Sequence, residues 1–363
     1  MIIDVVKVFL PSAMAFIVGV LCTPALTHYL YKYKLWKKKG GKVLRDGTEA
    51  EVFNSLHKEK ETGTPRMGGI VIWASVIIVA VLMWILSHTI DGVFSKLDFI
   101  SRDQTWIPLV TLILGAFVGL IDDFLEIKGA PGTGAGGLSL SKRLFVVTAM
   151  GLLWGYWFYA KLGIDSLGLP FDGSLYVGWF IIPLFAIVML ALYSGGVIDG
   201  IDGLAGGVFT AAFTAYAGIA FAQHQYNLAA LSATIAGGIL AFLWFNIPPA
   251  RFYMTETGSM ALTTTLAVIA FMTDALSEKS GALPHGGYGL LVLPIIAFPL
   301  VATTASDIIQ SISKKVRGKK VFRIAPVHHH FEAIGWPSYK VTMRYWIIGV
   351  VVAIIGLSLA LIG

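Results

Sequence analysis

Residues 106–123 read Trp106-Ile107-Pro108-Leu109-Val110-Thr111-Leu112-Ile113-Leu114-Gly115-Ala116-Phe117-Val118-Gly119-Leu120-Ile121-Asp122-Asp123. The run carries no charge until it ends in two adjacent carboxylates. Helices of about 20 apolar residues cross a bilayer, because a helix satisfies its backbone N–H and C=O groups within itself. Comparable runs cover roughly 5–30, 68–87, 144–162, 177–195, 204–222, 228–245, 259–273, 288–306 and 341–362, which makes ten candidate spans. The span 259–273 is short and rich in Thr.

Composition agrees with a lipid solvent. Of the 363 residues, 56% are hydrophobic and 13% charged, where a soluble domain carries about 25% charged residues. The first apolar run follows Asp4, holds Lys7 inside it and outlasts a signal-peptide core, so it reads as a span and not a cleaved leader. The single cysteine, Cys22, excludes an intrachain disulfide and a cysteine metal site, and reads as a small packing residue. There is no internal repeat. The expectation is an all-α, polytopic membrane protein of about ten transmembrane helices, one domain over 1–363.

The basic residues set the orientation. Stretches 31–66, 122–143, 246–258 and 307–344 hold 22 of the 27 Lys and Arg residues, and all four fall on one side if every span crosses. Basic loops stay in the cytoplasm, so both termini are expected outside. The same bias accounts for the net charge of +6 without nucleic acid. Lys37, Lys38 and Lys39 read most simply as contacts to anionic headgroups. Gly129 to Gly137 reads as a flexible loop, because it lacks the Gly-Lys-Ser/Thr ending of a phosphate-binding loop.

Three acidic groups lie on that cytoplasmic side. Asp122 and Asp123 sit at a helix C-terminal end, where the dipole is already unfavourable to anions. Two neighbouring carboxylates raise one another's pKa unless a cation intervenes. Oxygen ligands suit Mg²⁺; a solvated loop start is the plainer reading. Asp199 and Asp202 follow the fifth span among glycines, three apart, so they share a face if that segment is helical. A polar turn is the alternative, but carboxylates this near the hydrocarbon boundary are costly unless used. Pro248 and Pro249 stop the seventh span, and Thr257 or Ser259 is placed to cap the eighth. A capped helix start is an anion site, although Glu256 there also reads as an ordinary first-turn acid.

After the ninth span comes Ala325-Pro326-Val327-His328-His329-His330-Phe331. Adjacent side chains diverge in a helix or a strand, so three neighbouring histidines do not bind one metal; they are placed to hydrogen-bond phosphate or sugar oxygens, or simply form a surface loop. His28, His57, His88, His224 and His285 are isolated. Carboxylates, a divalent cation and basic groups at a lipid boundary fit transfer of a phosphorylated group, with one lipid substrate.

These motifs resemble the bacterial phospho-N-acetylmuramoyl-pentapeptide-transferases, within the polyprenyl-phosphate N-acetylhexosamine-1-phosphate transferases. The resemblance runs from Gly63-Thr64-Pro65-Arg66-Met67-Gly68-Gly69, through Gly119-Leu120-Ile121-Asp122-Asp123, to the triple-histidine segment with Glu332 and Gly335-Trp336-Pro337. It implies a Mg²⁺-dependent enzyme of the bacterial inner membrane, with its active site facing the cytoplasm. Undecaprenyl phosphate would attack the β-phosphate of UDP-N-acetylmuramoyl-pentapeptide, giving lipid I and UMP for peptidoglycan synthesis. Asp122 would engage the lipid phosphate as base or nucleophile. Asp123, Asp199 and Glu256 would surround the metal and diphosphate. Asp202, Asn246 and Tyr253 would face the uridine, Lys142 would match a family lysine, and His328, His329 and His330 would hold the substrate. A homodimer is compatible with the resemblance.

Four positions depart from the family pattern. Glu256 and Arg66 stand where aspartate and threonine are usual, Gly196 aligns with an asparagine, and Glu126 aligns with a lysine that Lys128 is near enough to replace. Two other readings follow from the residues: a sister transferase using another UDP-N-acetylhexosamine, and an ion-coupled transporter, whose carboxylates belong nearer mid-membrane.

Overall fold

The computed structural model describes residues 2–38, 40–41, 54–55, 62–129, 137–169, 173–275 and 287–362. Lys39, His57, His285 and most of the Gly129 to Gly137 segment lie outside the described residues. In chain order the helices are α1 (Ile2–Lys32), α2 (Ile70–Thr89), α3 (Trp106–Lys128) and α4 (Leu140–Leu162). A short hairpin of β1 (Ser166–Leu169) and β2 (Gly173–Tyr176) precedes α5 (Ile181–Gly195), α6 (Leu204–Ala222), α7 (Tyr226–Asn246) and α8 (Thr255–Ala275). Then come α9 (Leu293–Ile296), α10 (Phe298–Arg317), α11 (Val327–Ala333) and α12 (Ser338–Ile362).

Each expected span falls on helix, and the ninth is broken at Ala297, ahead of Pro299, into α9 and α10. Among the described residues, seven helices are long and apolar enough to cross a membrane. The other three, α4, α8 and α10, carry more polar side chains, including Lys142, Arg143 and Lys161 on α4 and Lys314, Lys315 and Arg317 on α10. The departure from an all-helical chain is the hairpin, antiparallel with Ser166 opposite Tyr176. Asp274 at the end of α8 ties it down, accepting the Gly168 N–H at 3.0 Å.

Hydropathy does not decide which helices are central, since α1 and α12 are at least as apolar as α7, yet 83% of the apolar window of α7 is covered, against 22% for α1 and 28% for α12. Small side chains let helices close in, and α7 carries Ala229, Ala230, Ala233, Ala236, Gly237 and Gly238. Phe209, Phe213 and Tyr216 of α6 and Phe242 of α7 are fully buried in this core. Large apolar side chains on the outer helices, such as Leu21, Phe117 and Ile347, stay exposed, as lipid-facing positions require.

Helix direction orders the two ends of the bundle. The C-terminal ends of α3, α5 and α7 meet the N-terminal ends of α6, α8 and α12: Asp123 accepts the Thr257 N–H of α8, Asn246 accepts the Gly203 N–H, and the Thr342 hydroxyl donates to Asp202 O. The Tyr31 hydroxyl donates to Arg251 O at 3.0 Å and brings the C-terminal end of α1 to the same place. The outer ends of α1 and α12 therefore lie at the end opposite the carboxylates.

Candidate active site

The crossing of α3 and α8 builds the floor of the site. Small residues let helix backbones approach closely. A Cβ on Gly119 would come 2.2 Å from the Glu256 carbonyl oxygen, and one on Gly115 would come 2.9 Å from Ala261 Cα. Asp122 and Asp123, one turn beyond Gly119, are thereby pressed against the start of α8.

Asp123 is fully buried. Its Oδ2 accepts the Thr255 hydroxyl at 2.5 Å, the Thr257 hydroxyl at 2.6 Å and the Thr257 N–H at 3.0 Å. Asp199 Oδ2 accepts the Thr255 N–H at 2.8 Å. The helix starts at Thr255, earlier than a cap at Thr257 or Ser259 requires, and carboxylates from α3 and the Asp199 loop take its free N–H groups. The anion site expected at this helix start is thus filled by the protein's own Asp123. Thr255 adopts φ +56, a left-handed conformation that costs a β-branched residue about 1–3 kcal/mol. In return its hydroxyl donates to Asp123 and also accepts the Met67 N–H at 3.2 Å.

Two arginines offset the acids. Arg66 Nη2 lies 2.5 Å from Glu126 Oε2 and 3.5 Å from Asp123 Oδ1. Lys37 Nζ lies 3.0 Å from Glu126 Oε1, so Lys37 serves the site and not a headgroup. Lys128 stacks over the Phe124 ring at 4.4 Å; Arg66 and Lys37 are the cations that answer Glu126. On the other flank, Arg143 is ion-paired with Glu256 and lies 3.9 Å from Asp122. The Tyr193 hydroxyl is 3.4 Å from both Glu256 oxygens. Asp122 Oδ1 accepts the Leu138 N–H at 2.6 Å, so the Gly-rich segment ends on this carboxylate.

Asp122, Asp123 and Glu126 offer carboxylate oxygens within 4.8 Å of one another and could hold a metal ion. Of the three ligands expected from the sequence, Asp123 belongs to this trio. Asp199 and Glu256 join it indirectly, through Thr255 and Arg143. Burial pushes the Asp199 carboxyl up to about 6, and the neighbouring Asp123 and Asp202 charges add to this against the Thr255 N–H and Arg66. Proton binding there lowers the charge of the cluster when no cation is bound.

The remaining expected residues occupy different surroundings. Asp199 and Asp202 follow a 3-10 turn, Gly196–Ile198, and reach different partners; Asp202 Oδ2 accepts the Ala250 N–H at 3.2 Å. Asn246 is buried and ties two loops, accepting Gly203 N–H at 2.9 Å and donating to Phe252 O at 2.8 Å. Tyr253 is half-buried, and its backbone pairs with Pro65 O and Gly68 N–H at 2.9 and 2.8 Å. Lys142 is exposed, while Arg143 beside it on the helix faces the acids.

The histidines divide. His328 and His329 are buried, with ring centroids 4.3 Å apart. Both aim Nε2 at the aspartate loop: a Cβ on Gly200 would lie 2.7 Å from each. Two adjacent histidines therefore converge on the Gly200 turn, contrary to the divergence expected from local geometry. His329 Nδ1 shares a 2.7 Å hydrogen bond with Glu332 Oε2, whose other oxygen accepts the Ser338 hydroxyl at 2.8 Å. His330 turns away and accepts the Arg323 N–H at 3.1 Å.

Gly196, at the asparagine position of the family pattern, has φ −59 and room for a side chain, since its Cβ would meet Ser259 at 3.6 Å. Gly196→Asn is expected to fold with an unfolding midpoint within about 2 °C of wild type, as surface-like changes shift stability by about ±0.5 kcal/mol. A thermal melt of the purified variant checks this.

Residues 105–274 match the family model described as glycosyl transferase family 4. The chain is 32% identical to a phospho-N-acetylmuramoyl-pentapeptide-transferase of Halalkalibacterium halodurans, over 95% of this chain and 95% of that relative. It is 31% identical to the Bacillus subtilis protein of that name, again over 95% of each. A third relative of that name, from Chloroflexus aggregans, is 30% identical over 99% of this chain and 91% of its own length.

Proposed function

Because the chain belongs to the phospho-N-acetylmuramoyl-pentapeptide-transferase family, we propose that it transfers phospho-N-acetylmuramoyl-pentapeptide from its UDP conjugate to undecaprenyl phosphate. The carboxylate end of the bundle then faces the cytoplasm of the bacterial plasma membrane, where the soluble nucleotide is found. The observation that carries this reading is the convergence of Asp122, Asp123 and Glu126 with Arg66 and Arg143 at one end of an apolar bundle.

An oxygen of the lipid phosphate attacks the β-phosphorus. The bond from that phosphorus to the bridging oxygen breaks, and UMP leaves with the bridging oxygen and its electron pair. Asp122 acts on this step in one of two ways: as base it takes the proton of the lipid phosphate, or as nucleophile it attacks the β-phosphorus first, expelling UMP, and the lipid phosphate oxygen then displaces the carboxylate from that phosphorus. Asp123 is held in one orientation by three donors. The donor set is all oxygen, which fits Mg²⁺; Asp122, Asp123 and Glu126 would hold it, and Asp199 and Glu256, the other ligands expected from the sequence, would add their charge through Thr255 and Arg143. When bound, Mg²⁺ supplies charge neutralisation for the diphosphate. Asp202, Asn246 and Tyr253 serve the uridine side. Lys142, His328, His329 and His330 serve the rest of the substrate, His329 being oriented by Glu332.

Purified protein with undecaprenyl phosphate and Mg²⁺, offered each UDP-sugar in turn, tests the assignment. UMP is expected fastest from the muramoyl-pentapeptide nucleotide. Faster release from UDP-N-acetylglucosamine would move the chain to a sister transferase.

A further inference from the structure

Arg66 lies far in sequence from the aspartate motifs, yet it carries the cation beside Asp123. Its backbone is clamped on both sides: Arg66 N–H donates to Leu35 O at 2.8 Å, and Tyr253 N–H donates to Pro65 O at 2.9 Å. Its side chain is 16% exposed, Glu126 is 12% and Asp123 is 0%. Glu126 follows Asp122 and Asp123 by one helical turn, so all three share a face of α3. The result is a row of alternating charge, Lys37–Glu126–Arg66–Asp123, at 3.0, 2.5 and 3.5 Å.

The short contact in that row is to Glu126 and the longer one to Asp123. Glu126 therefore fixes where the guanidinium sits, and Asp123 feels its field. We infer that Arg66 is a positioning residue for the transfer reaction, aimed by Glu126 and Lys37, and that its charge holds Asp123 ionised and in place. A like charge this close also opposes a cation at the acidic trio. Arg66 therefore aids turnover while weakening metal binding, two effects of opposite sign that a purely structural arginine would not produce.

The activity readout rests on the transferase reading; the metal readout does not. The test uses full-length wild type, Arg66→Ala, Arg66→Lys, Glu126→Gln and the Arg66→Ala/Glu126→Gln double variant. Each is assayed for kcat/KM by UMP release and for Mg²⁺ binding by calorimetry without substrate. Arg66→Ala is expected to lose about 100-fold in kcat/KM, the scale of removing one partner of a buried charge pair. It is also expected to bind Mg²⁺ about tenfold tighter, through loss of a like charge at short range. Arg66→Lys keeps the charge and returns to within about tenfold of wild type. Glu126→Gln lowers kcat/KM about tenfold in wild type and by clearly less in Arg66→Ala, because only the part of its effect that runs through Arg66 is already lost there, while its own oxygen at the acidic trio still counts.

Wild-type activity in Arg66→Ala, weaker Mg²⁺ binding in it, or a full further loss in the double variant would each overturn the inference. If wild type releases no UMP, the transferase reading fails, and the direction of the Mg²⁺ change still decides whether Arg66 opposes the metal.

Discussion

Asp123→Asn is expected to lower turnover by at least about 1,000-fold, the scale of removing a preorganised charged group from an active site, while the bundle stays folded. The reason is that neither orientation of the amide fits. If its oxygen takes the place of Oδ2 between Thr255 and Thr257, its NH₂ faces the Arg66 guanidinium, donor against donor. If it is flipped, the NH₂ faces the Thr257 N–H and two hydroxyls. The charge that answers Arg66 is lost in both cases. Kinetics of UMP release beside a thermal melt separate this from unfolding. Near-normal turnover in a folded variant would remove Asp123 from the mechanism.

Gly119→Ala is expected to damage activity far more than a single methyl group suggests. The added Cβ would stand 2.2 Å from the Glu256 carbonyl oxygen, which is backbone and cannot rotate away. The helices α3 and α8 must then separate, at about 1–3 kcal/mol for an overpacked core. The same separation pulls Asp122 and Asp123 away from Thr255, Thr257 and Glu256. A displacement of about 1 Å can cost roughly 100-fold in rate, so activity should fall much further than stability. Melting and UMP release measured on one preparation show whether the two diverge. Equal loss of both would mean that the glycine serves packing alone.

Much of this architecture could be read along the chain. The apolar runs located the helices because lipid requires each segment to satisfy its own backbone. The aspartates stood out because carboxylates at span ends are costly. What local reading missed comes from contacts between distant segments. Thr257 reads as a cap candidate and Thr255 draws no reading, and their hydroxyls count only once α8 is packed on Asp123. Arg66 and Glu126 each read as a departure from a pattern, and become intelligible as a pair across 60 positions. The resemblance singles out Lys142 and gives Arg143 no reading, but one residue is 100° of helix, and Arg143 takes the inward face beside Glu256. The mismatch of register is visible only when the facing helix is known. Asn246 illustrates the reverse, since its burial between Gly203 and Phe252 shows a loop-tying role that a polar residue at a helix end does not announce.

On the proposed function these acids carry a group transfer to a membrane lipid and not a hydrolysis. Mass spectrometry of the lipid extract after reaction of the muramoyl-pentapeptide nucleotide with undecaprenyl phosphate and Mg²⁺ tests it most directly. The account requires a new species in which the intact sugar-peptide is joined to the polyprenol through a diphosphate. It should form in step with UMP and be absent with EDTA or in Asp123→Asn. UMP released without that lipid product, or the product formed equally by Asp123→Asn, would contradict it.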